Sequence, residues 1–139
     1  MIILDTNVLS ELMRAEPNAQ VTDWVAGHPA SSMFSTFITE AEIRYGVALL
    51  PDGERKDVLE RAISGMFEED LAGQILPFDG TAARAYAEIV VGRRKLGRPI
   101  SQFDALIAAI ARSRGAAVAT RNNKDFEACG IDVINPWDA

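Results

Sequence analysis

The chain opens on Met1-Ile2-Ile3-Leu4-Asp5-Thr6-Asn7, where three large apolar side chains stop abruptly at a carboxylate. A run without apolar/polar alternation is what a strand covered on both faces by helices requires. Residues 2–4 are therefore expected as a buried strand with Asp5 at its carboxyl end. Ligands of open α/β sheets bind at that edge, which makes Asp5 a candidate site residue. It is equally a candidate N-cap for a helix starting at Thr6, and local sequence leaves both readings open.

The rest of the chain alternates helical and strand patterns. Val8, Leu9, Leu12 and Met13 are spaced for a helix to about Arg14, and Pro17 suits the first turn of a second helix ending near Gly27. A weakly signalled strand over 31–37 precedes a helix for which Thr39 and Glu42 have capping-box spacing. After the Pro51-Asp52-Gly53 turn, a charged amphipathic helix over 54–71 forms a helical hairpin with it. Strand 74–78 follows, with Pro77 indicating a strand end or a sheet edge. Asp79 is placed to cap a helix over 81–96, which Gly97 and Pro99 stop. Ser101 opens the most hydrophobic helix, strand 116–119 leads into a polar loop over 120–126, and 132–134 is a last strand. Strands alternating with helices imply an α/β sandwich with a mainly parallel sheet.

Length and composition, 139 residues with 48% hydrophobic and 24% charged, fit a single folded domain over 1–139. No apolar run is long enough to span a bilayer and Asp5 interrupts any signal-like start, so a cytoplasmic protein without membrane contact is expected. The lone Cys129 excludes an internal disulfide and a cysteine-rich zinc site, and the lone His28 falls in a loop. The net charge of −6 conceals segregation: residues 84–124 carry nine bases against two acids, while residues 1–83 carry fourteen acids against five bases. A basic segment on an acidic protein can still track phosphates. Its alternative role is structural, because Arg93, Arg94 and Lys95 also suit the C-terminal end of a helix dipole.

Polar residues recur beside the strand ends. Asp5 follows the first strand, Glu42 begins the helix after the second, Asp104 begins the helix before the fourth, and Asn122 and Asp125 follow that fourth strand. Asp104 has Ile107, Ala108 and Ala111 as helical neighbours, and an ionised carboxylate on a buried face is costly unless paired or bound to a cation. Glu42 shares a face with Ile38, Tyr45 and Leu49, whereas Glu40 has Arg44 at the spacing of a surface ion pair. Capping explains each acid singly, and convergence explains them together. An acidic pocket without histidine or thiolate suits Mg²⁺ or Mn²⁺ and the phosphoryl chemistry such ions support.

Four motifs in order, Leu-Asp-Thr-Asn at the start, Thr-x-Ala-Glu-Ile-x-Tyr-Gly around Glu42, Asp-Ala-Leu-Ile-Ala from Asp104 and Ala-Thr-Arg-Asn-x-x-Asp-Phe over 119–126, resemble the PIN domain. In particular they are similar to the VapC/FitB toxins of toxin–antitoxin pairs, over essentially the whole chain and its closing Asn-Pro-Trp. The resemblance implies a three-layer sandwich around a roughly five-stranded sheet with a protruding helical hairpin. It also implies a Mg²⁺- or Mn²⁺-dependent endoribonuclease, homodimeric and inhibited by a small antitoxin through which alone operator DNA is reached. Asp5, Glu42 and Asp104 would form the acidic core, with Asn122 standing where many members carry a fourth acid and Asp125 as its possible replacement.

The expected roles are Asp5 and Asp104 as direct ligands, Glu42 as ligand or water-mediated base, and Thr6 and Asn122 as orienting groups. Arg93, Arg94, Lys95, Arg112, Arg121 and Lys124 are candidates for RNA phosphate contact. Two other readings stay open: a non-catalytic RNA- or antitoxin-binding module, and an aspartyl phosphatase with Asp5 as nucleophile. The latter calls for a second acid two residues on, and position 7 is Asn.

Overall fold

A computed structural model describes all of residues 1–139. Its sheet contains β1 (Ile2–Leu4), β2 (Met33–Thr36), β3 (Ile75–Leu76), β4 (Ala117–Ala119) and β5 (Val133–Ile134) in the order β3-β2-β1-β4-β5. All four pairings are parallel. The connecting helices are α1 (Thr6–Leu12), α2 (Ala19–Ala26), α3 (Phe37–Ala48), α4 (Glu54–Gly65), α5 (Gly80–Lys95) and α6 (Gln102–Arg114). Pro77 follows the edge strand β3, where a missing amide donor disturbs no ladder.

Two cores lie on opposite faces of the sheet. Ile3 and Val118 pack with Ala82, Ala85 and Ile89 of α5 and Ile107, Ala108, Ile110 and Ala111 of α6. Leu4 and Ala119, the next residues along, join Val8, Leu9, Val21, Ile43, Val47, Ile63 and Phe67 from α1 through α4 and the turn after it. Successive side chains of a strand point to opposite faces, so an uninterrupted apolar run supplies both cores at once. The result is the expected three-layer α/β sandwich, with α3 and α4 forming the expected hairpin.

Chain order turns at β1: β2 and β3 build outward on one side, β4 and β5 on the other. The crevice at the carboxyl ends of β1 and β4 is thus a topological switch point. Pairing of Leu4 with Ala119 sets Asp5 beside Thr120, and the Asp5 amide donates to the Ala119 carbonyl at 2.9 Å.

Two helix starts differ from expectation. Thr36, not Thr39, caps α3, its Oγ1 accepting from the Thr39 amide at 3.1 Å. Strand β2 runs straight into the helix, Thr39 is buried inside it, and Glu42 is released from the expected capping box. Likewise α2 begins after Asn18, whose Oδ1 accepts from the Gln20 and Val21 amides, leaving Pro17 outside the helix. No helix is long and apolar enough to cross a membrane.

Ile107 is fully buried, whereas Leu49 at the end of α3 is 67% exposed. Ile107→Ala should lower unfolding stability by about 2–5 kcal/mol, and Leu49→Ala by less than about 0.5 kcal/mol. Urea midpoints of the two variants check this difference.

Candidate active site

The β1 carboxyl end holds Asp5 by three neutral donors. The Thr6 amide donates to Oδ1 at 2.8 Å, and Thr120 Oγ1 and Asn7 Nδ2 donate to Oδ2 at 2.8 and 3.2 Å. Asp5 therefore caps α1 and also lines the cleft, so capping does not remove it from the candidate site. Burial at 6% exposure raises its pKa from 3.8 to about 6; the Thr120 and Thr6 bonds oppose the rise, and the charges of Asp104 and Glu42 add to it.

Thr6, one residue later, donates its hydroxyl to Glu42 Oε1 at 2.9 Å and so ties α3 to α1. Burial raises the Glu42 pKa, the Thr6 bond opposes it, and Asp104 adds to it. The apolar face expected around Glu42 is not a core face, since Tyr45 and Leu49 are each 67% exposed and the buried side of α3 is Thr39, Ile43 and Val47. Glu42 instead sits half-buried at the boundary, facing the pocket.

Asp104 lies in the first turn of α6, with Ser101 Oγ accepting from its amide at 3.3 Å. Its pKa is raised by burial and by Asp125, and lowered by the Ser101 side chain and by Arg93. Ile107, Ala108 and Ala111 are all buried, as expected of its helical neighbours. The loop after β4 completes the cleft. Thr120 Oγ1 accepts from the Asn122 amide at 3.1 Å, and Asn7 Oδ1 accepts from the Arg121 amide at 3.2 Å. Asp125 enters from the short 3-10 turn Asn123–Phe126.

An open cleft of about 620 Å³ thus gathers Asp5, Thr6, Glu42, Asp104, Asn122 and Asp125. The charges of Asp104 and Glu42 push the Asp5 pKa up, Asp104 does the same to Glu42, and Asp125 to Asp104. No three of them close into a single cage. Such a donor set fits Mg²⁺ or Mn²⁺, hard ions that take one or two carboxylates directly and complete the octahedron with water.

Among the proposed phosphate contacts, Arg121 alone lines this cleft. Arg93 is 5% exposed and turned inward onto backbone carbonyls, so it is not available to RNA. Arg112, two turns beyond Asp104, pairs with Glu88 at 2.8 Å, outside the cleft. Arg94 lines a separate depression with Val90, Pro99 and Ile100, and Lys95 and Lys124 are exposed beyond the acidic cleft. Sequence reading missed Ser10 and Glu11 of α1, Arg14 just beyond its end, and Trp137. Arg14 is paired with Glu11 at 3.3 Å, and the Arg121 guanidinium lies 5.1 Å from the Trp137 ring centre. The closing Asn-Pro-Trp was the available signal for Trp137; Asn135 Oδ1 accepts from the Trp137 amide at 2.9 Å.

An Asp5 pKa raised from 3.8 to about 6 means that the folded chain binds a proton the unfolded chain has lost across that interval. Stability therefore falls as pH rises from about 4 to about 6, by up to about 3 kcal/mol from this group. In EDTA, Asp5→Asn should gain stability relative to wild type across that window, measured by urea unfolding. A wild-type-minus-variant difference independent of pH would refute the raised value.

The matching family model is the PIN domain, over residues 2–131. Plasmid stability protein StbB of Pseudomonas syringae pv. tomato is 45% identical over 139 residues, covering 100% of both chains. VapC ribonuclease Y4jK of Sinorhizobium fredii is 42% identical, covering 99% of each. The crystal structure of FitAcB from Neisseria gonorrhoeae superposes with a TM-score of 0.93 at 40% identity, over 100% of both chains. With the acids of four separate segments gathered at the switch point of a parallel sheet, the chain belongs to the PIN-domain family, in its VapC/FitB branch.

Proposed function

We infer that this chain is a Mg²⁺- or Mn²⁺-dependent endoribonuclease acting as the toxin of a toxin–antitoxin pair. The observation that carries the reading is the meeting of Asp5, Glu42, Asp104 and Asp125 in one cleft, with Arg14 and Arg121 at its wall. The relative named as a ribonuclease supports RNA as substrate.

Asp5 and Asp104 would hold the cation, with Asp125 beside Asp104 and Asn122 contributing a neutral oxygen. When bound, the ion supplies positive charge to the phosphate oxygens and acidity to the attacking water. Thr6 fixes Glu42 with one carboxylate oxygen engaged and the other free to ligate or to take a proton from water. Thr6, Thr120 and Asn7 fix Asp5 through both of its oxygens, each of which keeps acceptor capacity for a cation. Arg14 and Arg121 draw the polyanion toward an acidic cleft. An aspartyl nucleophile is disfavoured, because both Asp5 oxygens accept hydrogen bonds and position 7 supplies one of the donors.

A groove of mixed polarity runs from the cleft between α1, α3 and α4, past Met13, Ile43, Val47, Val58 and Leu59. It shares Thr6, Ser10, Arg14 and Glu42 with the acidic cleft, so a small antitoxin seated there would reach the site. Operator DNA would be contacted through that partner. Phe37 and Phe103, about half exposed at the first turns of α3 and α6, offer an apolar face for a homodimer.

Antitoxin-free protein should cleave a structured RNA with Mg²⁺ or Mn²⁺ and not with EDTA. Asp5→Asn and Asp104→Asn should each reduce the rate at least about 100-fold, and Thr6→Val about tenfold. Undiminished cleavage in EDTA or in both aspartate variants would sink the mechanism. RNA binding without cleavage in wild type would favour the non-catalytic module.

A further inference from the structure

Arg93 is a buried cation without an acid partner. It is 5% exposed and takes part in none of the six ion pairs of the chain. Its guanidinium is satisfied by neutral groups instead. Nε donates to the Arg98 carbonyl at 2.7 Å, and Nη1 donates to the Asp125 and Glu127 carbonyls at 3.0 Å each, with Cys129 Sγ at 3.8 Å. Desolvating a guanidinium is costly, and an apolar side chain on the inward stripe of α5 would avoid that cost. The arrangement has a local use.

Both carbonyls on Nη1 belong to the segment that carries Asp125 into the acidic cleft. Other ties reach that segment, the Arg98–Glu127 ion pair, the Asp125 amide on the Asn122 carbonyl and the buried Phe126, but among side chains only Arg93 bonds the Asp125 carbonyl itself. The 3-10 turn Asn123–Phe126 is four residues long and lacks a side-chain cap, and the one side chain it buries is Phe126. Just beyond it, Ala128 has φ of 59°, the only non-glycine in the left-handed region, where its Cβ crowds the backbone. The backbone accepts this conformation while its carbonyls converge on one nitrogen.

We propose that Arg93 is a positioning residue for the acidic cleft: by clamping the Asp125 and Glu127 carbonyls it holds the Asp125 carboxylate beside Asp104 and so sets the affinity of the cleft for a divalent cation. The inference rests on the reading of the cleft as a cation site. Arg93 touches neither substrate nor ion. Its fork is essential, because a lysine ammonium at the end of a flexible stem cannot reproduce the planar pattern of bonds to Arg98, Asp125 and Glu127.

Mn²⁺ binding to the full chain, measured by titration calorimetry with thermal unfolding in parallel, tests this for wild type, Arg93→Lys, Arg93→Met, Asp125→Asn and the Arg93→Met/Asp125→Asn double variant. Arg93→Lys and Arg93→Met should each weaken Mn²⁺ binding about tenfold, within the range for groups that orient metal ligands. The double variant should bind no more than about twofold more weakly than Asp125→Asn, because Arg93 acts through that carboxylate. A purely structural arginine would lower the unfolding temperature and leave Mn²⁺ affinity in the folded protein unchanged. Unchanged affinity in Arg93→Lys, or full additivity of Arg93→Met with Asp125→Asn, overturns the proposal. Should Arg93→Met fail to fold, Arg93→Lys decides. If wild type binds Mn²⁺ no better than Asp5→Asn, the cation site falls and the proposal with it; wild-type binding retained by Arg93→Lys rejects the arginine role alone.

Discussion

A carboxylate almost excluded from water, and surrounded by other carboxylates, has to be stabilised by neutral donors or by a cation. Asp5 is in that position, and much of the fold can be read as the means of supplying those donors. The Thr6 amide is available because a helix begins there and its first amides lack intrahelical acceptors. The Thr120 hydroxyl is available because β4 lies next to β1 in the register that pairs Leu4 with Ala119. A shift by one residue would turn that hydroxyl to the opposite face and leave the acid unsupported. The site and the sheet register are thus one constraint.

Charge is distributed in layers around this point. Acids line the floor, two arginines stand in the cleft wall, and a third arginine is buried behind the loop that contributes Asp125. The exposed bases outside the cleft engage local acids or solvent, as in the Arg112–Glu88 and Arg98–Glu127 pairs. Net charge accordingly says little about whether a polyanion can approach; the few side chains at the opening decide it.

Periodicity sufficed for the layers. The apolar runs at 2–4 and 116–119 read as doubly covered strands, and a parallel sheet brings Asp5 and Asn122 to one edge, whereas Glu42 and Asp104 reach it only through the placement of α3 and α6. Helix starts were less legible where two cap candidates stood three residues apart, as with Thr36 and Thr39, because either can accept from an amide and tertiary packing chooses. The basic cluster was least legible. Arg93, Arg94 and Lys95 are indistinguishable by charge, yet only the first falls on the inward stripe of α5 with Ala82, Ala85 and Ile89. Arg14 escaped notice because its relation to the cleft depends on how α1 leaves β1, a matter of direction rather than of residue type.

The hydrogen bond from Thr120 to Asp5 joins residues 115 positions apart. A chain made from its amino terminus exposes Asp5 earlier than Thr120, by 115 residues. Until β4 pairs with β1, Asp5 has no neighbouring strand on that side, Asn122 and Asp125 are absent, and the cleft has no far wall. In a chain of this topology the assembled pocket therefore arises only after the polypeptide has been made through β4 and the loop that follows it.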